Sequence, residues 1–391
     1  MMTPEIIAFI REHENDDIHK LLLSAQKYPG IDVGFAVDQI IARKSMKDKV
    51  PEWYQHEDLI YPSTLSTEQC SSGATARYKQ QLMRGNILCD LTGGLGIDSY
   101  YFSKVARQVF YVETIQHYQE AAQYNFRILH ANNIQCIAGN AYEIASQITA
   151  DTFYIDPARR TNINKRVFAL SDCEPNVLEL KSIMLEKASR VIIKISPMAD
   201  ISETLRLLPE IQEIHVVAVK NECKEILLVL EKAACSSPVP IHTINITPQS
   251  SQTFSFNLQA EREAPVAIAT AIDQYLYEPN AAILKSGAFK MLAAHFALKK
   301  LDINSHLYTS DRLVTEFPGR VFRVEKVINF SDKNLKEVHK TLPKANITTR
   351  NFPLSVDALR NKSRIKEGGE IYLFATTLNP KRPLLVISRK A

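Results

Sequence analysis

Asp90-Leu91-Thr92-Gly93-Gly94-Leu95-Gly96 is the stretch that decides how this chain folds. The apolar run Asn86-Ile87-Leu88-Cys89-Asp90 leads into it as a strand, and an apolar-periodic segment, 97–106, leaves it as a helix. Three of the chain's 12 glycines fall within four residues of this turn. Glycine lets the backbone take a positive φ and approach a ligand closely. A helix that starts there turns its free N–H groups and its positive dipole end toward electron-rich groups. A ligand-holding loop at a strand-to-helix junction is therefore expected.

Working outward, short apolar runs alternate with helical segments from about 85 to 232. Strands are predicted at 86–90, 109–113, 134–138, 152–156 and 191–196, with helices at 97–106, 115–130, 175–188 and 200–208. Such alternation specifies a parallel sheet covered by helices on both faces. The last two strands, 214–220 and 225–230, are joined only by Asn221-Glu222-Cys223-Lys224. That is too short for a parallel crossover, so they form an antiparallel hairpin. Residues 1–60 read as helices, the first capped by Thr3 before Pro4. A Ser/Thr/Gln/Pro-rich stretch, 236–252, marks a boundary, and a helix is predicted at 280–298. Residues 320–391 read strand, helix, strand, helix, strand, strand, a small α+β sandwich. The expected divisions are 1–70, 71–235, 236–320 and 321–391.

The 391 residues carry a formal net charge of +4, and 45% are apolar, enough for a sizeable core. The charge is uneven. Residues 331–391 hold 13 Lys and Arg against 5 Asp and Glu, while the other 330 residues hold 34 against 38. A basic block beside a slightly acidic body points to a polyanionic partner, nucleic acid first. No apolar run approaches the ~20 residues of a membrane helix, and the N-terminus has no secretory pattern. The expected setting is the cytoplasm, with no membrane partner. Cys70, Cys89, Cys136, Cys173, Cys223 and Cys235 are scattered without a C-x-x-C spacing, so free thiols and no metal site are expected.

Candidate site residues follow from strand ends. Asp90, Gly93, Gly94 and Gly96 form the loop. Glu113 ends the second strand, 23 residues after Asp90, where a carboxylate can accept hydrogen bonds from ribose hydroxyls. Asn140 and Ala141 follow the third strand and can read an adenine edge. The fourth strand ends Asp156-Pro157-Ala158-Arg159-Arg160. An Asp/Asn-Pro-Pro-aromatic loop here serves transfer to nucleobase amines, the aromatic ring stacking on a flipped base. This chain keeps Asp156 and Pro157 but puts Ala158 and Arg159 where the second proline and the ring would be. Arg159 and Arg160 suit a phosphate or a guanine edge. The fifth strand ends Lys194-Ile195-Ser196-Pro197-Met198, with no cysteine nucleophile at the loop.

The pattern D-x-x-x-G-x-G fits the loop by which class I methyltransferases hold S-adenosylmethionine (SAM). It departs from the dinucleotide fingerprint, whose third glycine would fall at Ser99. With Glu68-Gln69-Cys70-Ser71-Ser72, the glycine loop, Asp156 to Arg160, Lys194 to Met198, Ile347 to Pro353 and Glu367 to Phe374, the chain resembles a bacterial family of class I SAM-dependent methyltransferases with a C-terminal THUMP-like domain. The resemblance implies an α/β, Rossmann-like sheet closed by an antiparallel hairpin, an N-terminal helical region, and ferredoxin-like and THUMP-like α+β modules at the C-terminal end. It implies SAM as cofactor, held by Asp90, Gly94, Gly96, Glu113, Asn140 and Asp156, and a lid at 68–72. THUMP domains deliver RNA to an attached enzyme, so tRNA or rRNA is the implied partner. Asp156, Pro157 and Arg159 are then the expected catalytic residues, and Arg160, Lys194, Ser196 and Arg350 the expected substrate contacts. A methyltransferase of protein or small molecules, and a catalytically silent RNA-binding protein, remain alternatives.

Overall fold

The computed structural model describes residues 2–159, 170–233 and 238–391. Arg160 and Cys235, named above, lie outside the described residues, and so does the side chain of Arg159. The chain forms two compact units: Met1–Ile214 with Glu225–Ser236, and His215–Lys224 with Ser237–Ala391. Among the described residues, no helix is long and apolar enough to cross a membrane.

The sheet that carries the site contains β1 (Ile87–Asp90), β2 (Gln108–Glu113), β3 (Ile134–Ala138), β4 (Thr152–Ile155), β5 (Arg190–Ile195), β6 (Ile211–Val219) and β7 (Glu222–Glu231), of which His215 to Val219 and Glu222 to Lys224 are counted with the second unit. They take the order 3-2-1-4-5-7-6 in a nine-stranded sheet that continues past β6 with Ile241–Ile246 and Ser251–Phe256. The first five pair in parallel, and β7 runs antiparallel to β5, with Arg190 opposite Glu231 and Ile195 opposite Ile226. This is the predicted parallel sheet closed by a hairpin. The central strands are apolar on both faces because helices cover both: Phe153, Tyr154, Ile155, Val191, Ile192 and Ile193 are all essentially inaccessible.

Two details differ from the expectation. The hairpin turn is two residues, Lys220 and Asn221, both at positive φ (50° and 64°), which is the twist a tight hairpin requires. The strands are accordingly longer than their apolar cores. A helix at Ala141–Gln147, capped by Asn140, was not expected. The N-terminal helices share a core with the glycine loop: Met46, Val50, Trp53, Leu59 and Tyr61 belong to the same buried cluster as Leu95, Ile97, Tyr101 and Phe126.

In the second unit the stretch read as a boundary carries two strands, Ile241–Ile246 and Ser251–Phe256, paired antiparallel around a Thr247–Ser250 turn. The helix expected at 280–298 is two helices, Ala281–Ser286 and Lys290–His295, interrupted where Gly287 takes φ 81°. The rest is one eight-stranded sheet, ordered 267–268, 299–300, 308–310, 275–279, 319–329, 382–390, 371–378 and 346–350. Alternation along Ile371–Leu378 explains its two cores. Leu373 and Ala375 face the helices Asp332–Thr341 and Val356–Ser363, meeting Leu335, Val338 and Leu359. Phe374 and Leu378 face the other way, toward Leu276, Leu301 and Phe322.

Candidate active site

The site lies where β1, β4 and β5 end. Parallel strands leave a crevice at their carboxyl ends where the order reverses, here between β1 and β4. The glycine loop is held by main-chain bonds on both sides: Leu91 N–H to Tyr154 O at 2.9 Å, and Gly93 N–H to Val112 O at 2.8 Å. Each glycine has its own reason. A Cβ on Gly93 would lie 2.2 Å from the buried Tyr111 ring, whose hydroxyl donates to Gly94 O at 2.5 Å. Gly96, at φ 88°, would drive a Cβ to within 2.6 Å of Phe126. A Cβ on Gly94, at φ 54°, would meet nothing nearer than Thr92 O at 3.9 Å. Its outer face is open toward a cavity.

That cavity has a volume of about 540 Å³, within the range of small-molecule sites. Its wall includes Gly93, Gly94, Gly96, Asp98, Asp156 and Lys194. Leu65, Ser66, Gln69, Cys70 and Ser71 also line it, so residues of the expected lid segment form part of the wall. Lys49 fixes that segment by donating to Thr67 O (2.8 Å) and Glu68 O (2.6 Å).

Asp90 is buried beneath the loop. Its carboxylate accepts from Thr92 N–H at 3.1 Å and Ser99 Oγ at 2.6 Å. Burial, aided by Asp98 and Asp156 and opposed by those two donors, pushes its pKa up to about 7. Ser99, which spoils the dinucleotide pattern, is thus a structural partner of Asp90. Glu113 accepts from Gly94 N–H (2.9 Å) with one oxygen and from Ile115 N–H (2.8 Å) with the other. It ties the end of β2 to the loop, with carboxylate lone pairs left for a ligand. Asn140 accepts from Glu143 N–H at 2.9 Å as a helix cap, and Ala141 is buried in that helix. Glu113, Asn140 and Ala141 are not among the residues that wall the cavity.

Asp156 is anchored by its N–H to Thr92 Oγ1 at 2.7 Å, and its Oδ2 accepts from Lys194 Nζ. Pro157 is buried, and Ala158–Arg159 pair by main chain with Cys173–Glu174. Ser196 Oγ accepts from Met198 N–H at 3.2 Å, closing the turn after β5. Arg350 belongs to the second unit, where it pairs with the buried Glu278 at 2.9 Å.

The structure adds a buried ionic cluster that the sequence did not disclose. Lys79, fully buried on the helix Gly73–Gln80, reaches Asp98 Oδ1 at 2.8 Å, Glu225 Oε2 at 3.3 Å and Ser71 Oγ at 2.5 Å. Asp98 Oδ2 also accepts from Ser71 Oγ and Tyr154 OH, each at 2.8 Å. Burial opposes the charge on Asp98, but Lys79 and Lys194 outweigh it and hold its pKa below the usual carboxylate range. Burial likewise opposes the charge on Lys194, but Asp156, Glu225 and Asp98 outweigh it and raise its pKa, so it stays an ammonium. Asp98, Asp156 and Lys194 line the cavity and Asp90 lies beneath the loop, while Lys79 and Glu225 sit behind, where burial raises the Glu225 pKa. Together with the open face of Gly94, this donor set fits SAM. The sequence signal for the missed members was slight: a lone carboxylate, Glu225, at the head of the apolar run Ile226 to Leu230.

A sheet ordered 3-2-1-4-5-7-6 with its cavity at this glycine loop defines a class I methyltransferase fold. Residues 275–318 match the family model of a ferredoxin-like domain, and residues 319–390 match that of a THUMP-like domain. Over nearly its whole length the chain is similar to the crystal structure of a candidate methyltransferase from Porphyromonas gingivalis W83. Identity is 37%, the match covers 99% of this chain and 98% of that one, and the TM-score is 0.91. The chain belongs to the same family, bacterial class I SAM-dependent methyltransferases with a C-terminal THUMP-like domain. An rRNA methylase from Streptococcus thermophilus (13% identical, 41% of this chain, 95% of that one, TM-score 0.30) overlaps only in part. A search of curated proteins gave no match.

Proposed function

We propose that the protein methylates tRNA or rRNA by direct in-line transfer from SAM. The observation that carries the cofactor is the cavity on the open face of Gly94, walled by the glycine loop, Asp98 and Asp156. When bound, SAM supplies a methyl group on a sulfonium sulfur, already a good leaving group. The protein's part is then positioning and exclusion of water rather than strong base catalysis.

The Gly93 to Gly96 backbone takes the amino-acid part of SAM, Glu113 takes the ribose hydroxyls, and Asn140 with Ala141 takes the adenine edge. Asp90 holds the loop from beneath. Asp156, fixed by Thr92 and Pro157, faces the acceptor and takes its proton. Arg159, Arg160 and Ser196 are the proposed contacts to the nucleic acid near the transfer point, with Arg350 contributing from the THUMP-like domain. The case for RNA is the coincidence of that domain, 319–390, with the net +8 block at 331–391, since clustered Lys and Arg supply most of the affinity for a phosphate backbone.

Methyl-labelled SAM and total RNA from a strain lacking the gene test this reading. Label in tRNA or rRNA is the expected result. Label confined to protein would remove RNA from the proposal.

A further inference from the structure

We infer that the methyl acceptor is a hydroxyl oxygen, the ribose 2′-OH of an RNA chain, rather than a nucleobase nitrogen. The inference rests on the SAM-dependent RNA reading above and narrows it to one kind of atom.

The first ground is the pair at the transfer end of the cavity. Asp156 and Lys194 both line the wall, their side chains 34% and 15% exposed, and the carboxylate accepts from the ammonium. Lys194 is in turn held among Asp98 and Glu225, with the fully buried Lys79 bridging those two acids from behind. A neutral nitrogen that receives a methyl group becomes cationic as the bond forms. An ammonium ion at the same carboxylate opposes that charge in a poorly solvated site. A hydroxyl behaves oppositely. Its oxygen gains negative character as its proton departs, and an ammonium donor fixed beside it stabilises that charge. The pair therefore suits an alcohol: Asp156 to take the proton, Lys194 to face the oxygen.

The step balances. The hydroxyl oxygen forms its bond to the methyl carbon while the carbon–sulfur bond breaks. The electron pair of that bond remains on sulfur, and the hydroxyl proton passes to the Asp156 carboxylate. No oxidant, metal or further reactant is needed.

The second ground is independent of charge. Base chemistry requires the base to leave its stack and lie against an aromatic or apolar platform. In the loop after β4, Pro157 is buried, and the position after it is the small exposed Ala158, followed by Arg159. Among its described residues, the loop offers no ring to a flipped base. A ribose hydroxyl lies on the backbone and needs no flipping. It is also the group that separates RNA from DNA.

The test uses the full-length protein, labelled SAM and total RNA from a strain lacking the gene, with the RNA digested to nucleosides. The expected product is a 2′-O-methyl nucleoside, retained as an alkali-resistant dinucleotide, with no transfer to a DNA copy of the methylated segment. Base-methylated nucleosides, or no labelled nucleoside, overturn the inference. Calorimetry with SAM on the same sample separates this failure from failure of the broader reading, because intact SAM binding with a base-methylated product leaves the broader reading standing. Lys194→Met is expected to lower kcat by about 100-fold, in the range of general acid–base groups, with the SAM Kd within about threefold. Lys194→Arg, which keeps the charge, is expected to recover part of the loss. Should Lys194→Met not fold, the wild-type nucleoside analysis decides alone.

Discussion

Each residue of the glycine loop answers to a different neighbour, so their substitutions separate. Gly93→Ala places a methyl group against Tyr111, which is buried and bonded to Gly94 O. The expected cost is about 1–3 kcal/mol, as for overpacked cores, read as a lower Tm together with lost SAM binding. An unchanged Tm would show that the Tyr111 ring is not the constraint. Asp90 gives a pH signature. Its folded pKa, raised from 3.8 to about 7, means that the folded state holds the proton longer than the unfolded state. Stability therefore falls as pH rises from about 4 to about 7 and is level above that. Asp90→Asn, which mimics the protonated form, is expected to flatten that fall in denaturant titrations across this window. Glu113→Ala is expected mainly to weaken SAM binding, and Asp156→Ala to abolish transfer with limited loss of binding. Equal loss of both properties in both variants would contradict the division of labour. At this scale the sequence points to Asp90, Gly93 to Gly96, Glu113 and Asp156 as candidates, because each sits at or just after a strand end whose position the alternation predicts. It hid the ionic cluster, because Lys79 and Glu225 lie 146 residues apart and only the folded sheet joins them.

Strands and helices were most legible where apolar runs were long. Strand β3 has the predicted bounds, β1, β2 and β4 differ by one residue at one end, and β5 is shifted by one residue at both ends. The misreadings have physical causes. The hairpin was read too short because Cys223 and Lys224 extend β7 by main-chain pairing beyond its apolar core. The Ser/Thr/Gln-rich stretch begins where the two units divide, as its composition indicates, and its polar residues mask the strands it carries. Yet Ile241, Thr243 and Ile244 are buried, and Thr243 Oγ1 donates to Phe254 O at 3.0 Å. The helix after Asn280 was read through Gly287, whose positive φ ends it. The turn of the hairpin offers a test in the second unit. Asn221, at φ 64°, donates its N–H to Asn245 Oδ1 at 2.9 Å, and its own Oδ1 accepts at 2.8 Å from the N–H of Ala281, the first residue of the helix that Asn280 caps. Asn221→Ala removes both that second bond and a residue tolerant of that backbone. A loss of about 1–3 kcal/mol is expected from thermal unfolding, whereas Asn221→Gly, which keeps the backbone freedom, is expected to lose less.

The whole molecule combines a slightly acidic catalytic body with a basic C-terminal domain, and charge is the property that composition reports most faithfully. In that domain Lys333, Lys336 and Lys340 are exposed on the helix Asp332–Thr341, whose Leu335 and Val338 face the core. Replacing the three lysines by Glu is expected to weaken RNA binding and to flatten its dependence on salt. The log–log slope should fall by roughly 0.7 for each single-strand phosphate that the protein no longer neutralises. The SAM Kd should not change. Unaltered RNA affinity would place the RNA elsewhere on the molecule. The central claim, that the cavity at Gly94 holds SAM, is tested most directly by calorimetric titration of the purified protein with SAM and, separately, with NAD. One SAM per chain, no heat with NAD, and loss of the SAM signal in Glu113→Ala are predicted. NAD binding with no response to SAM would contradict the account.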